Sequence, residues 1–307
     1  MEPLLAGAFA GRADLLSARS TVPDIEVLAR RSRSLYLGMR RRQRHLPASP
    51  VSGPGMVTLR GGLSGLVDSL VGVLSDCEVR LGSPVTGLER AGGGYRLSQV
   101  DGECIDTDVV VLAIPAFGAA GLLEVLLPHA AGALREIPYT DVASITLAYP
   151  REALTRPLDE TGFLVPPAPG RLLVGCSWLN AKWGYRPDGQ EVLLRCLVGG
   201  YGDPAWSLCD DSDLVARIHR ELVEIMGLAA PPRDWHVQRW PRALPQYTVG
   251  HRARLDRVAS ELRRLPGVHV TGAAYEGAGL ASCIAQGERT ALVIAAQLAS
   301  AAVGGLS

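Results

Sequence analysis

The sequence predicts a mixed α/β (α+β) chain in which two domains interleave, and three observations point there. The strand Val109-Val110-Val111-Leu112 is all-apolar, the pattern of a parallel sheet buried on both faces, and Val268 to Val270 has the look of a second parallel-type strand toward the other end. Between them, Val142 to Tyr149, Arg171 to Ser177 and Glu191 to Val198 alternate as an antiparallel sheet covered on one face does. Amphipathic helical stripes separate these groups.

In chain order, residues 1–56 carry helical material, the basic cluster Arg40-Arg41-Arg42-Gln43-Arg44, and a linker rich in Pro, Ser and Gly from Pro47 to Pro54. The cluster suits either a solvated helix end or an anionic membrane surface or acidic partner. A strand is expected from Met56 to Leu59, then a helix whose Leu63, Leu66, Val67, Leu70, Val71 and Leu74 form one continuous apolar stripe. Short strands follow at Cys77 to Leu81, Tyr95 to Val100 and Asp108 to Ile114, with Gly92-Gly93-Gly94 and Asp101-Gly102 as hairpin turns. The apolar run Val109 to Leu123 contains Pro115 and is shorter than the roughly 20 residues of a bilayer span, so it is expected as buried strand, turn and helix start. Past the middle sheet, Asp211 is the expected cap of a second amphipathic helix (Leu214, Val215, Ile218, Leu222, Ile225, Met226) that Gly227 closes. Trp235 to Trp240 and a polar stretch lead to the final strand, glycine turn and helix.

Composition removes several function classes. The 307 residues are 47% hydrophobic with no formal net charge, which gives no electrostatic case for nucleic acid. Lys182 is the single lysine beside 30 arginines, so there is no G-K-[ST] phosphate loop. Six cysteines (Cys77, Cys104, Cys176, Cys196, Cys209, Cys283) include no C-x-x-C pair, which argues for a reducing cytosol and against a zinc site or disulfide framework. No G-x-S-x-G elbow occurs, and the first residues show no basic n-region followed by an apolar core, so they are not expected to be a secretory signal.

The stretch Gly277-Ala278-Gly279-Leu280-Ala281-Ser282 nearly spells the dinucleotide fingerprint G-x-G-x-x-G. The usual motif has an acidic ribose ligand about 20 residues further on, and no Asp or Glu follows Glu288. A strand at Val268 to Val270, glycines, and Ser282 as a cap for the next helix would make an anion cradle. A tight glycine turn packing a helix onto a sheet is the equally good plain reading.

Five stretches together resemble a family: MVTLRGGLSGLVDSL, VRLGSPVTGLERAGGGYRL, DTDVVVLAIPAFGAAGLL, RWPRALPQYTVGH and TGAAYEGAGLASCIAQG. They are similar to the flavin-dependent porphyrinogen oxidases of haem synthesis, within the flavin amine oxidase superfamily. The last two stretches are the most specific.

That resemblance implies a discontinuous FAD-binding Rossmann-like domain (57–118 and 239–307), a substrate domain on an antiparallel sheet (119–238) and a helical membrane-surface segment (1–56). It implies FAD as cofactor and coproporphyrinogen III or protoporphyrinogen IX as substrate, with O2 as acceptor. Cofactor contacts carried over are Gly272, Ala278, Gly279 and Leu280, the backbone of Val85 for the adenine, and Trp240 against the flavin. No acid or base stands out as catalytic. A cytoplasmic protein with peripheral membrane contact is expected, and a separate N-terminal half or a homodimer are further expected partners. The family's opening βαβ unit with its G-x-G-x-x-G is not in this sequence, so the FAD domain is expected to be incomplete, with Val109 to Ile114 short of sheet neighbours. A misplaced start codon, a separate N-terminal chain and a decayed gene are the competing accounts. Another flavin oxidase or desaturase, or a non-catalytic fragment, are the alternative functions.

Overall fold

The computed structural model describes residues 2–45, 57–183, 191–202 and 205–304. Helices α1 (Glu2–Phe9), α2 (Ala18–Thr21), α3 (Pro23–Arg31), α4 (Leu35–His45) and α5 (Ser64–Val73) come first. Strands β1 (Val85–Ala91), β2 (Gly94–Gln99), β3 (Cys104–Thr107) and β4 (Val110–Leu112) follow, then α6 (Ala116–Leu123) and α7 (Pro128–Arg135). The middle holds β5 (Tyr139–Pro150), β6 (Gly162–Leu164), β7 (Leu173–Trp178), α8 (Leu179–Lys182), β8 (Glu191–Val198), α9 (Asp211–Met226) and β9 (Asp234–Pro245). The chain ends with α10 (His251–Leu262), β10 (Val268–Val270) and α11 (Leu280–Gly304). Contacts divide it into two compact units: residues 1–15, 52–73 and 139–246 form the first, and residues 16–51, 74–138 and 247–307 the second. Helices α6 and α7 fall in the second unit and residues 1–15 in the first, a finer interleaving than the four-part division expected from sequence.

The first unit is built on an antiparallel sheet of order β6-β7-β8-β5-β9. Alternation along the strands sends Ala143, Ile145, Leu147 and Tyr149 of β5 and Val192, Leu194, Cys196 and Val198 of β8 to one face, all buried. Helix α9 covers that face with Leu214, Val215, Ile218, Leu222 and Met226, and each such side chain is worth roughly 2–3 kcal/mol of burial. Both ends of α9 are chemically marked. Asp210 accepts from the Asp213 amide at 2.8 Å, and Gly227 closes the helix in the left-handed conformation at φ +68°. The Glu221 carboxylate pins the helix to the sheet by accepting from the Leu172 and Leu173 amides at 2.8 and 3.2 Å.

The second unit holds an antiparallel meander β1-β2-β3 and a parallel pair β10-β4. Val110, Val111 and Leu112 align with Val268, His269 and Val270, so two strands far apart in the sequence meet in a parallel pair. The chain then turns at Pro115 into α6, whose Ala116, Ala119, Ala120 and Leu123 are buried. Helices α7 and α10 are bridged by Glu136, which accepts from Arg254 and Arg257 at 3.1 and 2.7 Å.

Several expectations need correction. Val57 to Leu59 and Cys77 to Leu81 are irregular rather than strands; Val57 and Leu81 are 86% and 89% exposed, with no neighbouring strand among the described residues to pair with. Met56 and the 47–54 linker lie outside the described residues. Helix α5 forms where its stripe predicted, yet Leu63, Val67, Leu70 and Val71 face solvent. The α9 cap is Asp210 and not Asp211, because Asp210 keeps the extended backbone of a cap while Asp211 is already helical. The basic cluster 40–44 sits in the last turns of α4. Among the described residues no helix is long and apolar enough to cross a membrane.

Asp210→Ala should lower unfolding free energy by about 1 kcal/mol, read from denaturant midpoints at constant m-value. Asp211→Ala should not cost the cap, since its carboxylate meets Arg239 at 2.8 Å instead.

Candidate functional site

The candidate site grows from the carboxyl end of the parallel pair. Beyond β10 the Thr271 amide still donates to Leu112 at 3.2 Å, and the chain then leaves the sheet through Gly272 at φ +115°. Gly277 has φ +134°, and a Cβ there would lie 2.8 Å from the Ser282 hydroxyl, so this position excludes side chains on two counts. Helix α11 starts at Leu280, and its first rung runs from the Cys283 amide to the Gly279 carbonyl at 3.0 Å. Ser282, the expected cap, is therefore inside the first turn and does not cap it.

Amides 280–282 precede that first rung, and no acidic side chain stands in the first turn. Unsatisfied N–H groups and the positive end of a 25-residue helix converge there, which suits a pyrophosphate. Gly279 is exposed, and a Cβ on it would meet nothing within 4 Å, so the residues present fit an anionic cofactor lying against the turn.

Three polar residues that the sequence reading passed over hold this turn. Gln286, 5% exposed, donates to the Ser282 and Gly277 carbonyls at 3.2 and 3.4 Å, and its side-chain oxygen accepts from the Glu276 amide at 3.4 Å. The Tyr247 hydroxyl donates to the Ala273 carbonyl. His251 stacks on Tyr247 with ring centroids 4.5 Å apart and is 1% exposed, and neither ring nitrogen finds a partner of hydrogen-bonding geometry. Burial away from water pushes its imidazole down to about 4, against a smaller opposing pull from the Tyr275 and Ala274 backbone. The available signal was the motif itself: Tyr247 and His251 are the Y and H of PQYTVGH.

Of the sequence-predicted contacts, Gly272, Ala278, Gly279 and Leu280 come together on this one connection. Val85 is in the same unit but opens β1, in the separate three-stranded sheet, paired with Gln99. Trp240 belongs to the first unit, on β9 opposite Val142, and is 44% exposed.

A family model for flavin containing amine oxidoreductase matches residues 1–295. Coproporphyrinogen III oxidase of Bacillus subtilis (strain 168) is 32% identical over 292 residues, covering 94% of this chain and 62% of that protein. The protein of the same name from Mycobacterium leprae is 31% identical over 303 residues, covering 97% and 64%. A crystal structure from Exiguobacterium sp. 255-15, of a candidate protoporphyrinogen oxidase, superposes with TM-score 0.80 at 29% identity over 95% of this chain and 62% of that one. A putrescine oxidase variant shares the fold at TM-score 0.60 and 16% identity, covering 77% of this chain and 53% of its own. The chain thus spans about three-fifths of the curated relatives it matches.

Two outcomes follow from the turn's supports. The His251 folded-state value of about 4 lies below its ordinary 6.5, so the unfolded chain binds the extra proton first. Stability is complete above pH 6.5 and falls as pH drops toward 4, by at most on the order of 3 kcal/mol; His251→Phe should flatten that part of the melting-temperature profile. Gln286→Ala should cost about 1–3 kcal/mol by stranding buried backbone groups, seen in a denaturant melt together with faster amide exchange across 276–282.

Proposed function

This chain belongs to the flavin containing amine oxidoreductase family, and from that premise we propose that it works in FAD-dependent oxidation of a porphyrinogen to the porphyrin in haem synthesis. The observation that carries the reading is similarity along nearly the whole chain to proteins named coproporphyrinogen III oxidase, at 31% and 32% identity. Either coproporphyrinogen III or protoporphyrinogen IX is the substrate, and O2 the final acceptor.

The chain's own residues have three tasks in this reading. The 278–280 turn and the first turn of α11 hold the pyrophosphate through backbone N–H groups, while the Val85 backbone meets the adenine. Trp240 is carried over from the resemblance as a flavin contact. The antiparallel sheet presents the substrate and keeps water from its reduced carbons. Bound FAD would supply a two-electron hydride acceptor, and three such oxidations with three O2 reduced to hydrogen peroxide would balance the six electrons between porphyrinogen and porphyrin. Proton release needs no dedicated acid or base in this scheme. Residues 1–56 at a membrane surface and a cytoplasmic location complete the reading.

The test is purification of the full-length protein and anaerobic, then aerobic, incubation with each porphyrinogen. A yellow protein that yields a fluorescent porphyrin, with hydrogen peroxide formed in about threefold excess over porphyrin, is the expected result. A colourless protein that oxidises neither substrate overturns the reading.

A further inference from the structure

We infer that Arg195, on the sheet face opposite α9, seats a carboxylate of the tetrapyrrole, flanked by the hydroxyls of Ser177 and Thr146. This deepens the porphyrinogen reading and rests on it.

The sheet's two faces differ in chemistry. Because Cys196 and Leu194 point into the α9 core, Leu193, Arg195 and Leu197 point the other way. Register then assembles a row across four strands: Ser177 of β7 pairs with Arg195, Arg195 with Thr146 of β5, and Thr146 with His236 of β9. Strand β8 is the middle strand of five, so Arg195 rises from the centre of the sheet and not from a rim. Neighbouring strands are about 4.8 Å apart, which places a hydroxyl on either side of the guanidinium and an imidazole about 10 Å from it.

Charge along the sheet singles this arginine out. Arg239, directed to the α9 face, meets Asp211 at 2.8 Å, and Arg171 at the end of β7 meets Glu224 at 3.3 Å. Among the described residues Arg195 has no acidic partner within salt-bridge distance, although it is exposed. Asp234, on the same face as His236, turns its carboxylate back onto the Trp235 amide at 2.8 Å. A planar fork with five donors between two hydroxyls matches a carboxylate bidentately.

The next rows carry no further charged side chain, which suits the flat macrocycle from which that carboxylate hangs. Two residues along lie Gly175, Leu197, Ser144 and Gln238, and two further Val142 pairs with Trp240. Leu164 fills the space over Gly175, where a Cβ would sit 2.9 Å from its methyl, and Gly7 of α1 packs on the same methyl, so the β6–β7 side of this face is closed and the open part runs from Arg195 toward β9. From Thr146 to Val142 is four residues, about 13 Å. A ligand held at Arg195 by an acid group thus lies over Leu197 and Val142 and reaches Trp240 with its ring edge.

The experiment titrates the protein with coproporphyrin III and with its tetramethyl ester, in the same detergent, by porphyrin fluorescence. Arg195→Gln should weaken the free acid on the order of ten-fold or more and leave the ester unchanged, with Arg195→Lys between. Thr146→Val, nearly the same shape, should weaken the acid a few-fold, so the inference stays testable should the Arg195 variants melt early. Equal affinity of Arg195→Gln and wild type for the acid overturns the inference, as does equal weakening of acid and ester. A wild-type protein that binds neither porphyrin overturns the porphyrinogen reading itself, and is distinguishable because the variants are then irrelevant to it.

Discussion

The parallel ladder between β4 and β10 is the constraint on which the second unit's site depends. It joins two three-residue strands far apart in the sequence, and their closure is extended by the Val110 amide on the Gly267 carbonyl at 2.8 Å and the Thr271 amide on Leu112. Approach is so close that a Cβ on Gly267 would sit 2.7 Å from the Asp108 carbonyl, at φ +95°; only glycine fits. Tyr95 and Arg90 brace the entering chain by donating to the Pro266 and Arg264 carbonyls at 2.7 and 2.8 Å. Because the strands run in the same direction, both release their following turns at the same edge, the place where ligands of open α/β sheets bind. Antiparallel pairing would have sent the 272–280 turn and the Pro115 turn to opposite ends.

The first unit solves a different problem. One face of its sheet is spent on a core, closed by α9 and by the Glu221 clamp on β7. Period-two alternation then fixes the other face without further choice, since every residue that avoids the core must face away. That face carries Arg195, His236 and two hydroxyls in one row, Leu197, Ser144 and Gln238 in the next, and Val142 and Trp240 in the row after. The near-absence of lysine from the composition has a local consequence here, because arginine brings planar, directional recognition where lysine would bring a point charge.

What was legible in the sequence follows from how strong each pattern is. β5, β7 and β8 alternate over several residues and α9 carries an unbroken stripe, so their existence, type and burial could be read directly. The same stripe on α5 predicted the helix and not its surroundings, because periodicity reports a face and says nothing of what meets it. Val57 to Leu59 and Cys77 to Leu81 are short and apolar, and strand formation needs a partner that composition does not reveal. Capping failed by one residue at Asp210 and by more at Ser282, where side-chain type outweighed backbone conformation in the expectation. Gln286, Tyr247 and His251 act through contacts made only in three dimensions. No spacing announces that a glutamine in a helix will reach back to the carbonyls of Gly277 and Ser282.

The near-fingerprint at 277–282 is where pattern and geometry inform each other most. Its two glycines stand for different reasons. Gly277 is required from within, by its φ of +134° and by the Ser282 side chain that occupies the place of a Cβ. Gly279 has neither a positive φ nor a neighbour within 4 Å of where a Cβ would be, so nothing inside the fold demands it. A small residue there keeps clear the space ahead of the first free amides of α11, which is what close approach of a phosphate to backbone N–H groups needs. A packing turn would need Gly277 and leave Gly279 open to any residue, whereas a cofactor cradle needs both.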